Sequence, residues 1–562
     1  MPRGLKEAYQ IDTENKNNDW AKAIETELTQ LHDYETFRCL KEGEDIPTGY
    51  KWIPYHIVFD VKFDLRKKAR LVAGGNRTDP TKEDIYSGVV SMDSIRTGFL
   101  LGELNNLTCC AADVGNAFLY GKTKEKVYIK AGREFGKDMN GKILIIVKSL
   151  YGLKTSAARF HECLSDKLRA MGYRPSLTDA DLWMIDKGTH YDYIATYVDD
   201  LLIWSRDPMA IIEKLKKSFT LKGVGAPEYY LGGDVDQLDE HWTVDAVGLA
   251  LSAKTYIKNL IPKFEKLLAK TFKSVSTPMA ENLHPELDKT PFLTLERTAI
   301  YRSIIGSLSW TVTLGRFDVF YATNTLSRFM NAPREGHLQA AERVLGYLNT
   351  YIKGRIIYDT AYLEQEMLLS DEHNWTEFYP DAEEKLVPNA PEPKGKKVRV
   401  TVYVDADHAH DQVTRRSVTG IILFLNNTPV RYISKRQKTV ESSTYGSELV
   451  AARIATELII EVRCMLRDLG VPIDGPTQMF GDNLSVVLNT TVPSSVLKKK
   501  HNSIAYHMVR EAIAAGYIRF NHIDSDQNIA DVLTKPLGKQ PFHKLVGPYL
   551  FRKPQTLINA QN

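Results

Sequence analysis

The sequence predicts an α+β protein of several domains that ends in a separate unit of alternating strands and helices. Three observations carry this. Short apolar runs bounded by turn residues share the first part of the chain with stretches of helical spacing. A long helix-period block follows at 296–353. A Pro-rich, acid-rich break at 371–397 then precedes a fresh set of strands and helices. With 562 residues the chain has room for about three to five domains.

In chain order, residues 19–37 have helical spacing, with Trp20, Ile24, Leu28 and Leu31 on one face and Asp19 placed to cap the helix. Trp52–Phe63 and Arg70–Ala73 read as strands around the charged stretch Asp64–Lys68, an exposed hairpin tip. Residues 94–107 read as a helix, Cys109–Val114 as a strand ending at Gly115, Ile143–Val147 as a strand and Ser156–Met171 as a helix. Tyr193–Val198 and Leu201–Trp204 flank Asp199-Asp200 in the order strand, tight turn, strand. Residues 208–275 mix helix and loop, and the block at 296–353 carries Tyr301, Ile304, Ile305, Leu308 and Trp310. Pro380, Pro388, Pro391 and Pro393 fall in the break, which reads as an exposed linker or insertion. Beyond it come strands at 399–404 and 418–425, a helix at 443–468, a strand at Gln478–Phe480, a helix near 496–515 and a strand at 517–523.

Composition narrows the class. The chain is 43% hydrophobic and 25% charged, the range of ordinary globular proteins. Its 73 Lys+Arg against 70 Asp+Glu leave a net charge of +3, which neither supports nor excludes a nucleic-acid partner. Carboxylates that hold metals offset the basic walls of a cleft in such a sum. Five cysteines without a Cys-x-x-Cys pair point to a reducing compartment and away from a disulfide scaffold or structural zinc. His408 and His410, near Asp405, have no Cys partner and read as surface histidines. The start lacks the apolar stretch of a signal peptide and no apolar run is long enough to span a bilayer, so no membrane segment is expected.

The strongest chemical signal is Tyr197-Val198-Asp199-Asp200. Adjacent carboxylates at the tip of an apolar hairpin repel each other unless a cation sits between them. A solvated turn is an equal reading of these residues alone. Asp113 shifts the balance, because it ends the strand Cys109–Val114. If that strand pairs with the hairpin, three carboxylates from two segments can hold two Mg²⁺ ions about 3.5–4 Å apart.

Here the sequence resembles the reverse transcriptase of copia-type LTR retrotransposons. Tyr197-Val198-Asp199-Asp200 is similar to that family's catalytic hairpin, and Asp113-Val114-Gly115-Asn116-Ala117-Phe118 to its first carboxylate motif. The resemblance implies metal ligation by Asp113, Val114, Asp199 and Asp200, and a role for Phe118 as a gate against a 2′-hydroxyl. Lys68-Ala69-Arg70-Leu71-Val72-Ala73 resembles the fingers motif, which implies Arg70 as a triphosphate contact with Lys62 as a second. A solvated strand end is the other reading of Arg70. Leu150-Tyr151-Gly152-Leu153-Lys154 resembles the loop that lines the nucleotide pocket, making Tyr151, Gly152 and Lys154 nucleotide contacts together with Tyr197. Thr155 stands where the family often has Gln. Tyr229-Tyr230-Leu231-Gly232-Gly233-Asp234 resembles the segment that grips the primer, which places Tyr230 and Gly232 on nucleic acid; a Gly-rich turn is its plain alternative. Tyr301–Leu308, Leu326–Phe329, His337 and Tyr347-Leu348 extend the match, with Arg302, Arg316 and Arg328 read as surface arginines or phosphate contacts.

Downstream, Asp405 ends an apolar strand, Glu448 lies on the helix after Ser442-Ser443-Thr444, Asp482 ends a strand, and Asp531 lies in Asn528-Ile529-Ala530-Asp531-Val532-Leu533-Thr534-Lys535. Each alone reads as a strand end or cap. Together and in this order they resemble the ribonuclease H family, which implies a second two-metal centre. Arg416 and Ser417 in Arg415-Arg416-Ser417-Val418-Thr419-Gly420, and Lys500 and His501 in Lys498-Lys499-Lys500-His501, match the copia version and become nucleic-acid contacts. His522 lies in the strand before Asp526-Gln527, and no catalytic His is assigned.

The resemblance runs from about Trp20 to Leu537. It implies a right-hand polymerase of fingers, palm and thumb, a connection region and a C-terminal ribonuclease H. The expected divisions are 1–107 for the N-terminal helix and fingers, 108–235 for the palm with fingers elements, and 236–370 for thumb and connection. Residues 371–397 are the linker or insertion, 398–552 the ribonuclease H and 553–562 a tail. The implied function is RNA-directed DNA polymerisation with ribonuclease H activity, using two Mg²⁺ per centre or Mn²⁺ in their place. Implied partners are an RNA template, a DNA primer, the RNA–DNA hybrid and dNTPs, with a homodimer and other Gag-Pol products beside them. Cytoplasmic virus-like particles are the implied location, with the complementary DNA later nuclear. No protease or integrase motif is visible, so the chain is expected to be a processed or designed piece of a polyprotein. The rival readings are a decayed or co-opted nucleic-acid-binding scaffold and a DNA-templated polymerase with an appended nuclease.

Overall fold

The computed structural model describes residues 1–61, 65–78, 85–238, 248–363, 373–497 and 500–552, and its class is α+β. The chain opens on a helix not expected from its pattern, Leu5–Glu14, followed by Asp19–Asp33. Asp19 does not cap the second helix. Its N-cap is Asn18, with no side-chain bond, and the free N–H groups of Trp20 and Ala21 donate to Asp12 at 3.1 and 2.9 Å. Asp12 therefore does from the first helix what an N-cap carboxylate does locally.

This helix packs on the antiparallel hairpin Tyr55–Val61/Lys67–Ala73, where Leu71 N donates to buried Glu27 at 2.9 Å. Lys62, a candidate triphosphate contact, lies outside the described residues.

A six-stranded antiparallel sheet follows. Its order is Leu221–Gly225, Thr108–Val114, Asp200–Ser205, Tyr191–Tyr197, Leu182–Asp186 and Arg174–Pro175. Buried Trp204 meets the helix Met92–Leu104 at Gly98 and Gly102, where an added Cβ would lie 2.6 and 2.7 Å from the indole. A helical glycine costs about 1 kcal/mol in propensity. Here the pair lets a helix lie flat on the Trp204 indole.

Helices Leu295–Thr313, Phe320–Ser327 and Glu335–Thr350 occupy the expected helical block. Arg316 within it is not at the surface. Its exposure is 1%, and its Nε and Nη2 donate to Asp318 at 3.0 and 2.7 Å, so it cannot reach phosphate. Arg328 pairs with buried Asp411.

The C-terminal unit holds a five-stranded sheet in the order Thr428–Arg436, Val418–Leu425, Val400–Asp407, Thr477–Gly481 and Ile518–His522. The first three strands run antiparallel, and the last two run parallel to the central one. The helix Thr444–Asp468 is capped by Ser443, whose hydroxyl accepts from Gly446 N. Residues 373–397 carry no helix or strand but are anchored along their length. Tyr379 Oη bonds His507, Glu384 bonds Arg463 and Arg467, and Lys394 Nζ bonds Asp186.

Two candidate carboxylate centres

The first centre is made by strand register. Asp113 stands directly opposite Asp200 on adjacent antiparallel strands, so both side chains leave the same face. Tyr197 pairs with Asp200, which leaves Val198-Asp199 as the turn. Val198 has φ 55°, a left-handed conformation that costs a β-branched residue on the order of 1–3 kcal/mol. Val114 N donates to Asp199 O at 2.8 Å and ties the turn to the Asp113 strand. Burial, then the charges of Asp199 and Asp113, push the Asp200 carboxyl up to about 6.

The residues expected to contact nucleotide come together beside it. The Phe118 and Tyr151 rings meet edge-on at 4.9 Å, and the Arg70 guanidinium lies 5.2 Å from the Tyr151 ring. Arg70 is half-buried, and its Nε is closed to solvent. Tyr151 O accepts from Ala73 N at 2.7 Å, and Lys154 Nζ donates to Thr78 O at 2.8 Å, clamping the loop onto the Arg70 strand. Gly152 has φ +90°, and a Cβ there would lie 2.1 Å from Ala73 O, so the close approach needs glycine.

One expectation is corrected here. Tyr230 is buried at 5% exposure with an unpartnered hydroxyl, whereas Tyr229 is 53% exposed. The outward-facing ring of this segment is therefore Tyr229. Gly232, at φ +89°, turns the chain beside Trp310. Lys222, which sequence reasoning missed, stands opposite Asp113 on its other flank. Only the sheet order could have revealed it.

In the second centre Asp405 leaves the central strand of the five-stranded sheet and Asp482 follows the end of its parallel neighbour. Asp531 comes from the 3₁₀ turn Ile529–Leu533. Oxygens of these three lie within 4.8 Å of one another, the one such group of three found among the described residues. Glu448 faces them from the helix Thr444–Asp468, and burial, then Asp405 and Asp482, raise its carboxyl well above the usual range. The turn is set by Asn528, whose Nδ2 donates to Val404 O at 3.0 Å, and by Gly420, where a Cβ would lie 2.6 Å from Ala530 O.

Two further residues belong to this centre. Thr534 Oγ1 donates to Asp405, and Lys535 Nζ lies 2.9 Å from Asp531 and 3.7 Å from Asp405. Burial and Asp405 push the Asp531 carboxyl up to about 8, with Lys535 pulling the other way. His522 Nε2 lies 3.1 Å from Asp482 O.

Of the expected nucleic-acid contacts, Lys500 and His501 are exposed, His501 lies 3.4 Å from Glu441, and Arg416 is half-buried. Ser417 is fully buried and accepts from Ala409 N at 3.1 Å, so it shapes a turn and is closed to a ligand. His410 is not a surface residue either, since it bonds Tyr321 at 2.6 Å and Asp407 at 2.5 Å. Lys498 and Lys499 lie outside the described residues.

Both centres offer oxygen ligands alone, the donor set hard divalent cations take.

Residues 34–281 match the reverse transcriptase (RNA-dependent DNA polymerase) family. The chain is 28% identical over 540 residues to the retrovirus-related Pol polyprotein from transposon RE1 of Arabidopsis thaliana, covering 94% of this chain and 33% of that one. It is 27% identical over 568 residues to the Pol polyprotein from transposon TNT 1-94 of Nicotiana tabacum, covering 97% and 39%. The chain thus spans about a third of the length of the curated relatives it matches. Among solved structures it is similar to the foamy viral protease-reverse transcriptase in complex with RNA/DNA hybrid, at 13% identity and a TM-score of 0.42, over 91% of this chain and 54% of that one.

Proposed function

We propose that this chain, a relative of copia-type retrotransposon Pol polyproteins, is an RNA-directed DNA polymerase with a fused ribonuclease H. The observation that carries this is the register setting Asp113 against Asp200 beside Asp199, in a chain that also gathers Asp405, Asp482 and Asp531.

Asp113, Asp199, Asp200 and the Val114 carbonyl would hold two Mg²⁺ at the first centre. Asp405, Glu448, Asp482 and Asp531 would hold two at the second, with Mn²⁺ as a substitute. Divalent cations bound there activate a primer 3′-hydroxyl or a water and neutralise phosphate charge. Arg70 is set against Tyr151 to receive a dNTP triphosphate, and Phe118 packs on the same ring to close the sugar side. The clamp between Ala73 and Tyr151 keeps these groups in place before substrate arrives. Lys500 and His501 offer an exposed basic face to the hybrid, which is read through its phosphates and 2′-hydroxyls.

The partners in this reading are an RNA template, a DNA primer and their hybrid, with a homodimer and the other Gag-Pol products as assembly partners in cytoplasmic particles. No helix among the described residues is long and apolar enough to cross a membrane. The test is primer extension on poly-rA by the purified chain, with release of labelled RNA followed in parallel. Both products should form with Mg²⁺ and vanish with a chelator. A chain that binds hybrid and yields neither product contradicts the proposal.

A further inference from the structure

The helix Thr444–Asp468 carries Glu448 near one end and Asp468 at the other, about 37 Å along its axis in full. A carboxylate in the last turn of a helix opposes the helix dipole, so Asp468 is not there for the helix. It is 1% exposed, and its partners lie on the six-stranded sheet. Ser176 Oγ and Leu177 N donate to Oδ2 at 2.6 and 2.8 Å, and Arg174 Nη1 approaches Oδ1 at 3.3 Å. Arg174 Nη2 donates to the Asp468 carbonyl at 2.8 Å.

The next two residues continue the contact. Leu469 O accepts from Tyr193 Oη at 2.9 Å. Gly470 lies so close to Tyr191 that a Cβ would meet the ring at 2.3 Å. Tyr191 and Tyr193 belong to the strand that runs into Val198-Asp199. The strand Tyr191–Tyr197 meets the chain just past the helix at Leu469 and Gly470, and Asp468 braces that junction from residues 174–177 at the sheet edge, so one strand and one helix connect Asp199 to Glu448. A second attachment lies elsewhere on the interface, where buried Arg96 donates to Val430 O at 3.1 Å and Tyr432 Oη at 2.8 Å.

We infer that Asp468 is a positioning residue, a latch on the sheet edge at Arg174 and Ser176 that fixes the distance between the polymerase and ribonuclease centres and hence where the RNA is cut relative to the primer end. This rests on the function proposed above. A buried carboxylate whose cationic partner lies across the interface is costly to expose, so the two units stay closed on one another. A duplex running over both centres is then measured by a rigid strand-and-helix ruler.

The test uses the full chain on a hybrid with one recessed DNA 3′ end and end-labelled RNA, in single-encounter conditions. The native chain should give one dominant cut at a fixed spacing from that end. Asp468→Ala and Arg174→Ala should lose the dominant cut and spread cleavage over neighbouring positions. Primer extension, and total cleavage of a hybrid lacking a recessed end, should be unchanged. Asp468→Asn, which keeps an acceptor for Ser176 and Leu177, should restore the dominant cut. Arg174→Ala alters only the sheet side and covers the case in which Asp468→Ala does not fold. An unaltered cut pattern in both folded variants overturns the latch while leaving the proposed function intact. Absence of both activities in the native chain would instead count against that function. Independently of activity, spin labels carried by non-natural residues at exposed Met209 and Ile504 should give one narrow distance that broadens in Arg174→Ala. A broad distance in the native chain overturns the inference.

Discussion

Asp113 and Asp200 face each other across neighbouring antiparallel strands, two like charges at opposed positions on one sheet face. Such a pair is destabilising unless a cation or a proton relieves it. Burial, then the charges of Asp199 and Asp113, push the Asp200 carboxyl up to about 6. A raised carboxyl contributes stability that is fully present below its ordinary value near 4, and loses it as pH rises through about 6. The metal-free protein should therefore melt lower as pH climbs through that window, and the gain from Mg²⁺ should grow with pH. Asp200→Asn should raise metal-free stability by on the order of 1 kcal/mol after solvent screening, and abolish extension. Thermal unfolding across pH, with and without Mg²⁺, checks this; a Mg²⁺ gain independent of pH counts against it.

Gly152→Ala places a methyl against Ala73 O in a left-handed backbone conformation. It should cost about 1–3 kcal/mol locally and unseat Tyr151 from Arg70. The expected result is a rise in the KM for dNTPs with hybrid cleavage unaffected. Equal loss of both activities would mean global unfolding.

Lys535 places an ammonium between Asp531 and Asp405, where the carboxylate cluster otherwise repels itself. Lys535→Met should lower the stability of the metal-free chain by about 1–3 kcal/mol, less than for a fully buried pair. It should also tighten Mn²⁺ binding at this centre, read by paramagnetic resonance titration. Unchanged affinity would show that the ammonium does not compete for the cation position.

Phe118 is held edge-on by Tyr151, so its ring cannot turn aside freely. Phe118→Ala should raise incorporation of ribonucleotides relative to deoxyribonucleotides by at least about tenfold. A ratio that stays put would make Phe118 a packing residue only.

Tyr229 and Tyr230 should separate cleanly. Tyr229→Ala should weaken primer-template binding at little cost in stability, because the ring is exposed. Tyr230→Phe should be neutral or stabilising, because it removes a buried hydroxyl without a partner. Equilibrium binding and thermal melts of the two variants decide it.

The carboxylates were legible because their signals are local. Asp199-Asp200 sits between two apolar runs, and in the second centre Asp405 and Asp482 lie at or just past strand ends while Glu448 rides a helix. What was not legible depended on register and distant partners. Lys222 faces Asp113 only because of the sheet order. Tyr229 and Tyr230 exchange roles with a slip of one residue, which turns every side chain of a strand over. Asp12, 7 positions before Asp19, reaches the helix start from another helix. Arg316 and Ser417 looked exposed because charged and hydroxyl residues usually are, but each found its partners in the interior. The strand Thr428–Arg436 was not expected; it forms the edge of the sheet, where Pro429 is tolerated.

The most direct measurement follows extension and hybrid cleavage together on one primer-template, comparing the native chain with Asp199→Asn and Glu448→Gln. The account predicts that Asp199→Asn remains folded and cleaves RNA without extending the primer, and that Glu448→Gln extends the primer without cleaving. Full extension by Asp199→Asn, or joint loss of both activities in either folded variant, would contradict two separate carboxylate centres serving one duplex.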